Sequence, residues 1–487
     1  MTKRVFISAD HGLAIVYFLQ SEVVSTLIDS GIEVVLLTDD GLKDKISERF
    51  GRPGLIIEGL RFEQARAYQN SFRPSAQWWV AFLRRVGSSG RINTEAMDSH
   101  IRQVQVEAEG LRIPLFPLMR MVVWLMRRSK WLRQMVVAYQ NKFTPNIFSD
   151  LFEKYQPGLV IASTFGWRLD RYLLREAAAH GIPTAAAIVG WDNPSSYGLW
   201  GAEMDWVTCW SELQRDELVD GDDWDPGQVM IGGIPSYDGY FNPRWLVGRD
   251  AYFEMHGLDP ARKLISYASS FITFSPNVQN VEALARLVSD GQLAEPSQLL
   301  VRLHPNHFMD VPRFAEEREQ IFKLAAELPH VHVVEPVALG GELGHYSGED
   351  MPEKASMMAY SDVFVTVYST MVVEAATMGR PVVSACIDSV PGWPHHFTLP
   401  LSEIGDWPTH ERFRMANAGR VALDESTLSE HINYYLVNPE AEVEKRKKFI
   451  EDECTFVDGS AGQQTAKNIM MMMEKGKFQE SHERKHG

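Results

Sequence analysis

The sequence predicts an α/β protein of two lobes, each built on an open parallel sheet, and three observations predict it. The chain has 487 residues, more than one ordinary domain uses and enough to bury two cores. Short apolar runs alternate with longer amphipathic segments, the pattern of parallel strands joined by helices. That alternation runs twice, with a turn-rich stretch at 232–243 (GGIPSYDGYFNP) between the two series. Hydrophobic residues are 45% and charged residues 23%, which suits a globular chain rather than a fibrous or disordered one.

In the first series, 4–9 (RVFISA) reads as a strand followed by a helix through residue 28. Gly31 then precedes a second strand at 33–38 (EVVLLT), completing a βαβ unit. Further strands are expected at 159–163 (LVIAS), 184–189 (TAAAIV) and 206–209 (WVTC), all short and apolar on both faces, as strands of a covered parallel sheet are. The second series reads 264–268 (LISYA), 299–303 (LLVRL), 331–334 (VHVV), 363–367 (VFVTV) and 382–385 (VVSA), spaced by helix-length segments such as 280–289 and 312–327. The expected division is 1–235 with an insertion at about 72–145, then 236–474, then a polar tail at 475–487.

The densest chemical signal is 361–383 (SDVFVTVYSTMVVEAATMGRPVV). A strand ends, Tyr368, Ser369 and Thr370 follow, and Glu374 lies about one turn into a helix. Free N–H groups at a helix start, with hydroxyls beside them, attract phosphate, and a carboxylate at Glu374 can accept from two ribose hydroxyls. The same residues also read as an ordinary N-cap and a favourable first-turn acid. Arg302 and His304, at the end of 299–303, and Ser269 and Ser270, after 264–268, add polar groups at strand ends, where ligands of open α/β sheets collect. An arginine fork there suits phosphate, or a structural ion pair.

RLHPN at 302–306, followed about 60 residues later by SD-apolar-YST-E-A-GRPVV, resembles the C-terminal lobe of bacterial surface-polysaccharide glycosyltransferases of the GT-B fold and of CDP-glycerol glycerophosphotransferases. GWDNPSSYG at 190–198, QVMIGGIPSYDGY at 228–240 and HGLDPARKLISYASS at 256–270 are similar to the interlobe region of such proteins. The resemblance implies two Rossmann-like lobes facing a central cleft and a nucleotide-sugar donor held by the second lobe. Ser369 and Thr370 would face the diphosphate, Glu374 the ribose, and Arg302 and His304 the pyrophosphate or base. It implies no redox cofactor and no metal, and GxGxxG is absent.

For the acceptor, Asp10 and His11 follow the first strand, where a histidine biased by a carboxylate can take a hydroxyl proton. A capping aspartate beside a solvated histidine is the competing reading. Trp191, Asp192 and Asn193 offer an aromatic face and polar groups to a sugar, or shape a turn before Pro194. His395 and His396 sit in a loop as donor or acceptor contacts, and the pair alone is too few ligands for a metal. The acidic runs Asp39-Asp40 and 220–225 read as a strand end and a solvated loop rather than a cation site.

Net charge is −16, and general nucleic-acid binding is not expected. Within it, 110–149 contains no Asp or Glu but carries Arg112, Arg120, Arg127, Arg128, Lys130, Arg133 and Lys142 among apolar and aromatic residues. Such a helix either lies on an anionic membrane, near a lipid-linked or glycan acceptor, or packs on the lobe with its cations solvated. Trp78, Trp79, Arg84 and Arg85 are candidates to extend that surface. Three scattered cysteines suit a reducing compartment, and no leader or spanning helix is legible, so a cytoplasmic protein, at most peripheral on the inner membrane face, is expected. The function expected is sugar transfer to a hydroxyl, with CDP-polyol phosphotransfer, a sugar-nucleotide 2-epimerase and a non-catalytic scaffold as alternatives.

Overall fold

The computed structural model describes residues 3–106, 112–242, 245–270, 277–337, 339–340, 347–389 and 400–479. The chain forms two compact units, 1–236 with 460–487, and 237–459. Each has one parallel sheet flanked by helices.

The sheet of the first unit contains β1 (Lys3–Ser8), β2 (Ile32–Thr38), β3 (Leu55–Gly59), β4 (Leu159–Ala162), β5 (Thr184–Ala187), β6 (Trp206–Cys209) and β7 (Val229–Ile231), in the order β3-β2-β1-β4-β5-β6-β7. All its pairings are parallel. Continuous apolar runs make this possible: β4 and β5 are buried at every position. The second unit contains β8 (Lys263–Ala268), β9 (Ser297–Arg302), β10 (Val331–Val334), β11 (Val363–Thr366), β12 (Val382–Ala385) and β13 (Arg420–Ala422), in the order β10-β9-β8-β11-β12-β13. Counted from its own first strand, this sheet repeats the 3-2-1-4-5-6 order of the first, the doubly wound Rossmann arrangement.

The order reverses between β1 and β4 in one sheet and between β8 and β11 in the other. In folds of this kind, ligands bind at such a reversal, outside the carboxyl ends of the strands. Register brings the strand ends level, with Ser8 beside both Leu37 and Ala162, and Ala268 beside both Arg302 and Thr366.

One boundary differs from the sequence reading. The helix Ala461–Lys475, assigned there to the second lobe, packs into the first unit. Thr465 Oγ1 donates to the Gly232 carbonyl at 3.1 Å and Asn468 Nδ2 to the Ile231 carbonyl at 3.0 Å, while Ile469 and Met472 are fully buried. These bonds satisfy the end of edge strand β7. The interval 72–145 is helical throughout its described regular elements, chiefly Pro74–Val86, Thr94–Val106, Arg112–Arg128 and Lys130–Tyr139. Arg84 does not extend an outer surface: it is buried and donates to the carbonyls of Tyr197 and Leu199. Burial pushes its guanidinium down to about 9.

Candidate functional site

At the reversal of the first sheet, Asp10 leaves β1 fully buried and meets three partners. His11 Nδ1 lies 2.6 Å from Asp10 Oδ1, Ser163 Oγ donates to the same oxygen at 3.1 Å, and Arg168 Nε donates to Oδ2 at 2.8 Å. A second guanidinium nitrogen of Arg168 reaches the Asp10 carbonyl at 3.2 Å. Burial would raise the Asp10 carboxyl, but the bond from His11 and the charges of His11 and Arg168 outweigh it and hold the group below its ordinary range. An ionised carboxylate only accepts, so Nδ1 of His11 carries a proton, and whenever the ring is neutral the lone pair is on Nε2. Among the described residues Nε2 has no hydrogen-bond partner. This is a carboxylate-oriented histidine, arranged as a general base is.

Asp170 follows in the same loop and is shifted the other way. It is fully buried, Thr164 Oγ1 donates to its Oδ2 at 2.7 Å, and its Oδ1 has no partner among the described residues. Burial, then the charge of Asp10, pushes its carboxyl well above the ordinary range. The loop carrying Arg168 depends on glycine. Gly166 has φ +85°, and a Cβ on Gly201 would sit 1.7 Å from the Gly166 carbonyl oxygen, so both positions exclude a side chain. Trp167 in this loop stacks on Tyr197 at 4.5 Å between ring centroids, and Arg85 lies 4.1 Å from the Tyr197 ring.

The cluster after β5 departs from expectation. Trp191 is only 2% exposed, so its ring offers no open face to a sugar. Asn193 Oδ1 accepts from the Gly190 N–H at 2.9 Å, which closes the turn instead of leaving the carboxamide for hydroxyls. Asp192 is half-buried, and burial raises its carboxyl.

At the reversal of the second sheet the expected donor residues share one edge, because β8, β9 and β11 end level. Their side chains divide into two groups. Arg302 is 6% exposed, and its two guanidinium arms are bonded to Asp350 and Glu353. Glu353 also accepts from Tyr252 at 3.0 Å and faces His256 Nε2 at 3.3 Å. The fork expected to grip phosphate is therefore an internal ion pair, neutralised by two carboxylates. Glu374, 5% exposed, is paired with Lys354 Nζ at 2.5 Å and accepts from the Tyr240 hydroxyl, so Oε2 is engaged within the unit rather than held open for ribose. Ser269 is a brace: its Oγ donates to the Arg302 carbonyl at 3.0 Å and accepts from the His304 N–H at 2.7 Å.

The second group keeps free donors. His304 Nδ1 accepts from the Asn306 N–H at 3.1 Å, which places the ring proton on Nε2. Burial, then the charges of His307 and Lys354, lowers this imidazole to about 3, so it is a neutral donor. Ser270 is fixed through its backbone by Asn277, at 2.9 Å in both directions, and its hydroxyl has no partner among the described residues. Thr370 begins the helix Met371–Thr377 with its hydroxyl likewise unengaged among the described residues, and Ser369 Oγ accepts from Met371 N at 3.2 Å. Tyr368 packs its ring 3.9 Å from that of His410, and burial raises its hydroxyl. His395 and His396 lie outside the described residues.

Sequence reasoning missed Ser163, Thr164, Arg168 and Asp170 around Asp10, and Lys354 and Tyr240 around Glu374. Ser163 and Thr164 were findable, since they follow β4 as Asp10 follows β1. Among the described residues, no three His, Cys, Asp or Glu side chains gather as a metal site would require.

No protein-family model and no curated protein sequence matches the chain. Solved structures match over nearly its whole length. A UDP-GlcNAc 2-epimerase from Neisseria meningitidis, bound to UDP-GlcNAc, aligns with a TM-score of 0.51 at 11% identity, covering 97% of this chain and 100% of that one. The S. aureus MnaA–UDP structure aligns at 0.52 and 11%, covering 97% of each chain. A glycosyltransferase from Rickettsia africae ESF-5 aligns at 0.50 and 11%, covering 96% and 99%. The likeness is one of fold: the chain has the two-unit, GT-B-like architecture of these proteins.

Proposed function

We propose that the chain is a glycosyltransferase that moves a sugar from a nucleoside-diphosphate sugar to a hydroxyl acceptor. The observation that carries this reading is that both sheets reverse order in the same place, and that each reversal holds polar groups suited to one half of the reaction. In the first unit, His11 Nε2 takes the acceptor proton while the Asp10 carboxylate stabilises the imidazolium that results. The acceptor oxygen bonds to the anomeric carbon. The bond from that carbon to the diphosphate breaks, and its electron pair leaves with the diphosphate. In the second unit, His304 Nε2–H and the hydroxyls of Ser270 and Thr370 supply hydrogen bonds to the leaving group, and the developing charge makes those bonds strengthen in the transition state.

The test is a thermal-shift panel of UDP, GDP and CDP on the full chain, followed by product analysis with the donor that binds. Support would be a shift with UDP or GDP, diminished by Thr370→Ala, and acceptor-dependent release of the diphosphate. A response to CDP alone favours polyol phosphotransfer. Conversion of the sugar nucleotide to its epimer without an acceptor selects the epimerase. If no nucleoside diphosphate shifts the melting, the enzyme reading fails and a scaffold remains.

A further inference from the structure

Beyond the reaction, we infer that the outer faces of the helices Arg112–Arg128 and Lys130–Tyr139 dock on an anionic lipid bilayer. The first of these helices is apolar on two opposite sides. Its inner stripe, Phe116, Met119, Val123 and Met126, is buried, and the first three pack with Phe82, Val86 and Met97. Its outer stripe, Leu118, Met121, Trp124 and Leu125, is exposed, Leu118 at 55% and Trp124 at 53%. An apolar helix face is ordinarily buried, and this outer one is not. The following helix repeats the arrangement, with Val137 and Arg133 inward and Trp131, at 65% exposure, and Met135 outward at a spacing of four.

The cations sort the same way. Arg127 and Arg133 turn to the body of the unit, bonded to Asp98 at 2.8 Å and Asp223 at 2.6 Å. Arg120, Arg128, Lys130 and Lys142 are exposed, and among the described residues none is paired with a carboxylate. Arg128 stands 4.1 Å from the ring of the outward Trp124, the alternation of aromatic and cation that suits a headgroup layer. A chain of net charge −16 needs a local basic patch to approach an anionic surface, and 110–149 holds no acidic residue. Charge also argues against a second copy as the occupant, since a two-fold contact through this face sets the same cations against one another. Contact would be peripheral. Among the described residues no single helix is long and apolar enough to cross a membrane, and the bent pair Gly12–Gln20 with Val23–Asp29 has most of its apolar side chains in the core of the first unit, with Leu13 exposed.

Cosedimentation of the full chain with vesicles decides the matter. Vesicles of phosphatidylcholine with equimolar phosphatidylglycerol are expected to bind the chain, and phosphatidylcholine alone is not. Arg128→Gln with Lys130→Gln should weaken binding about 25-fold, at about fivefold per cation. High salt should weaken the wild type in the same direction. Trp124→Ser with Trp131→Ser should weaken it about tenfold or more by removing apolar area from the acyl boundary. Both variants alter exposed residues and should keep the wild-type melting profile, which separates lost docking from lost fold. The inference is overturned if the wild type ignores the anionic vesicles, if both variants bind as it does, or if light scattering shows a dimer that the tryptophan variant dissociates.

Discussion

Lys354→Met removes the ammonium from a pair in which neither side chain can turn to water, since Lys354 is 6% and Glu374 7% exposed at the side chain. At 2.5 Å the direct attraction is about 7 kcal/mol at an effective dielectric near 20. Desolvation of both ions offsets most of that, so the pair itself contributes little net stability. The variant is a different matter. It leaves Glu374 buried with the Tyr240 hydroxyl as its remaining bonded partner on Oε2. Removing one member of a buried pair costs about 3–5 kcal/mol, and the surviving bond from Tyr240 argues for the lower end, about 3 kcal/mol. For a unit of the size of 237–459 this is a fall in melting temperature of about 6–12 °C. Scanning calorimetry on the full chain reads it as a shift in one unit's transition. Lys354→Met with Glu374→Leu should recover much of the loss, because two apolar groups of similar shape leave no orphaned charge. The reasoning is refuted if the single variant melts within about 2 °C of wild type, or if the double variant loses as much as the two single changes together.

His11→Asn and Asp10→Asn should each lower turnover by about 10²–10⁴ while leaving nucleoside-diphosphate affinity unchanged, which calorimetric titration beside a rate assay separates. Asp170→Asn should stabilise the chain near neutral pH. Its folded carboxyl lies well above 3.8, so between that value and the folded one the unfolded chain has released a proton that the folded chain retains, and stability falls as pH rises. Urea unfolding should show the variant ahead at pH 7 and level with wild type near pH 4. Gly201→Ala drives a methyl into the Gly166 carbonyl and should cost about 1–3 kcal/mol by urea unfolding, with the loop that carries Arg168 displaced. Nucleotide affinity should change little with salt, because the unengaged groups at the second site, Ser270, His304 and Thr370, are uncharged.

What was legible in the sequence was the apolar period. Ten strands were readable as short apolar runs, most of them buried on both faces, and the three that were not, β3, β7 and β13, are edge strands, as is β10, which its valines made readable. An edge strand needs less apolar pattern: β3 is half-buried along most of its length, and β7 and β13 are three residues long. The return of Ala461–Lys475 to the first unit was invisible for a related reason, since an amphipathic helix states that it has a core-facing side but not which core. At the sites, the sequence placed polar residues at the correct strand ends. It did not show their partners, because Asp350 and Glu353 are far from Arg302 in the chain, and Ser163 and Arg168 are farther still from Asp10. Pairing across such distances is a property of the fold, and it decides whether a polar strand end is a ligand or a brace.

That decision went differently in the two sheets, though they share one strand order. The first sheet ends in a buried charge at its tip: Asp10 is ionised, and its partners hold it in place and turn the Nε2 edge of His11 away from it. The second sheet turns its charges inward, Arg302 against two carboxylates and Lys354 against one, and leaves neutral donors at the tips. For the dianionic leaving group of the proposed transfer this is not a weakness. Donors fixed beforehand, as Ser269 fixes the His304 backbone and Asn277 fixes Ser270, need no reorganisation when charge develops. Neutral donors would also release the diphosphate of that proposed reaction more readily than a guanidinium held against it. A lone arginine at these tips would bind the ground state and the transition state alike, which strengthens binding without speeding the chemical step.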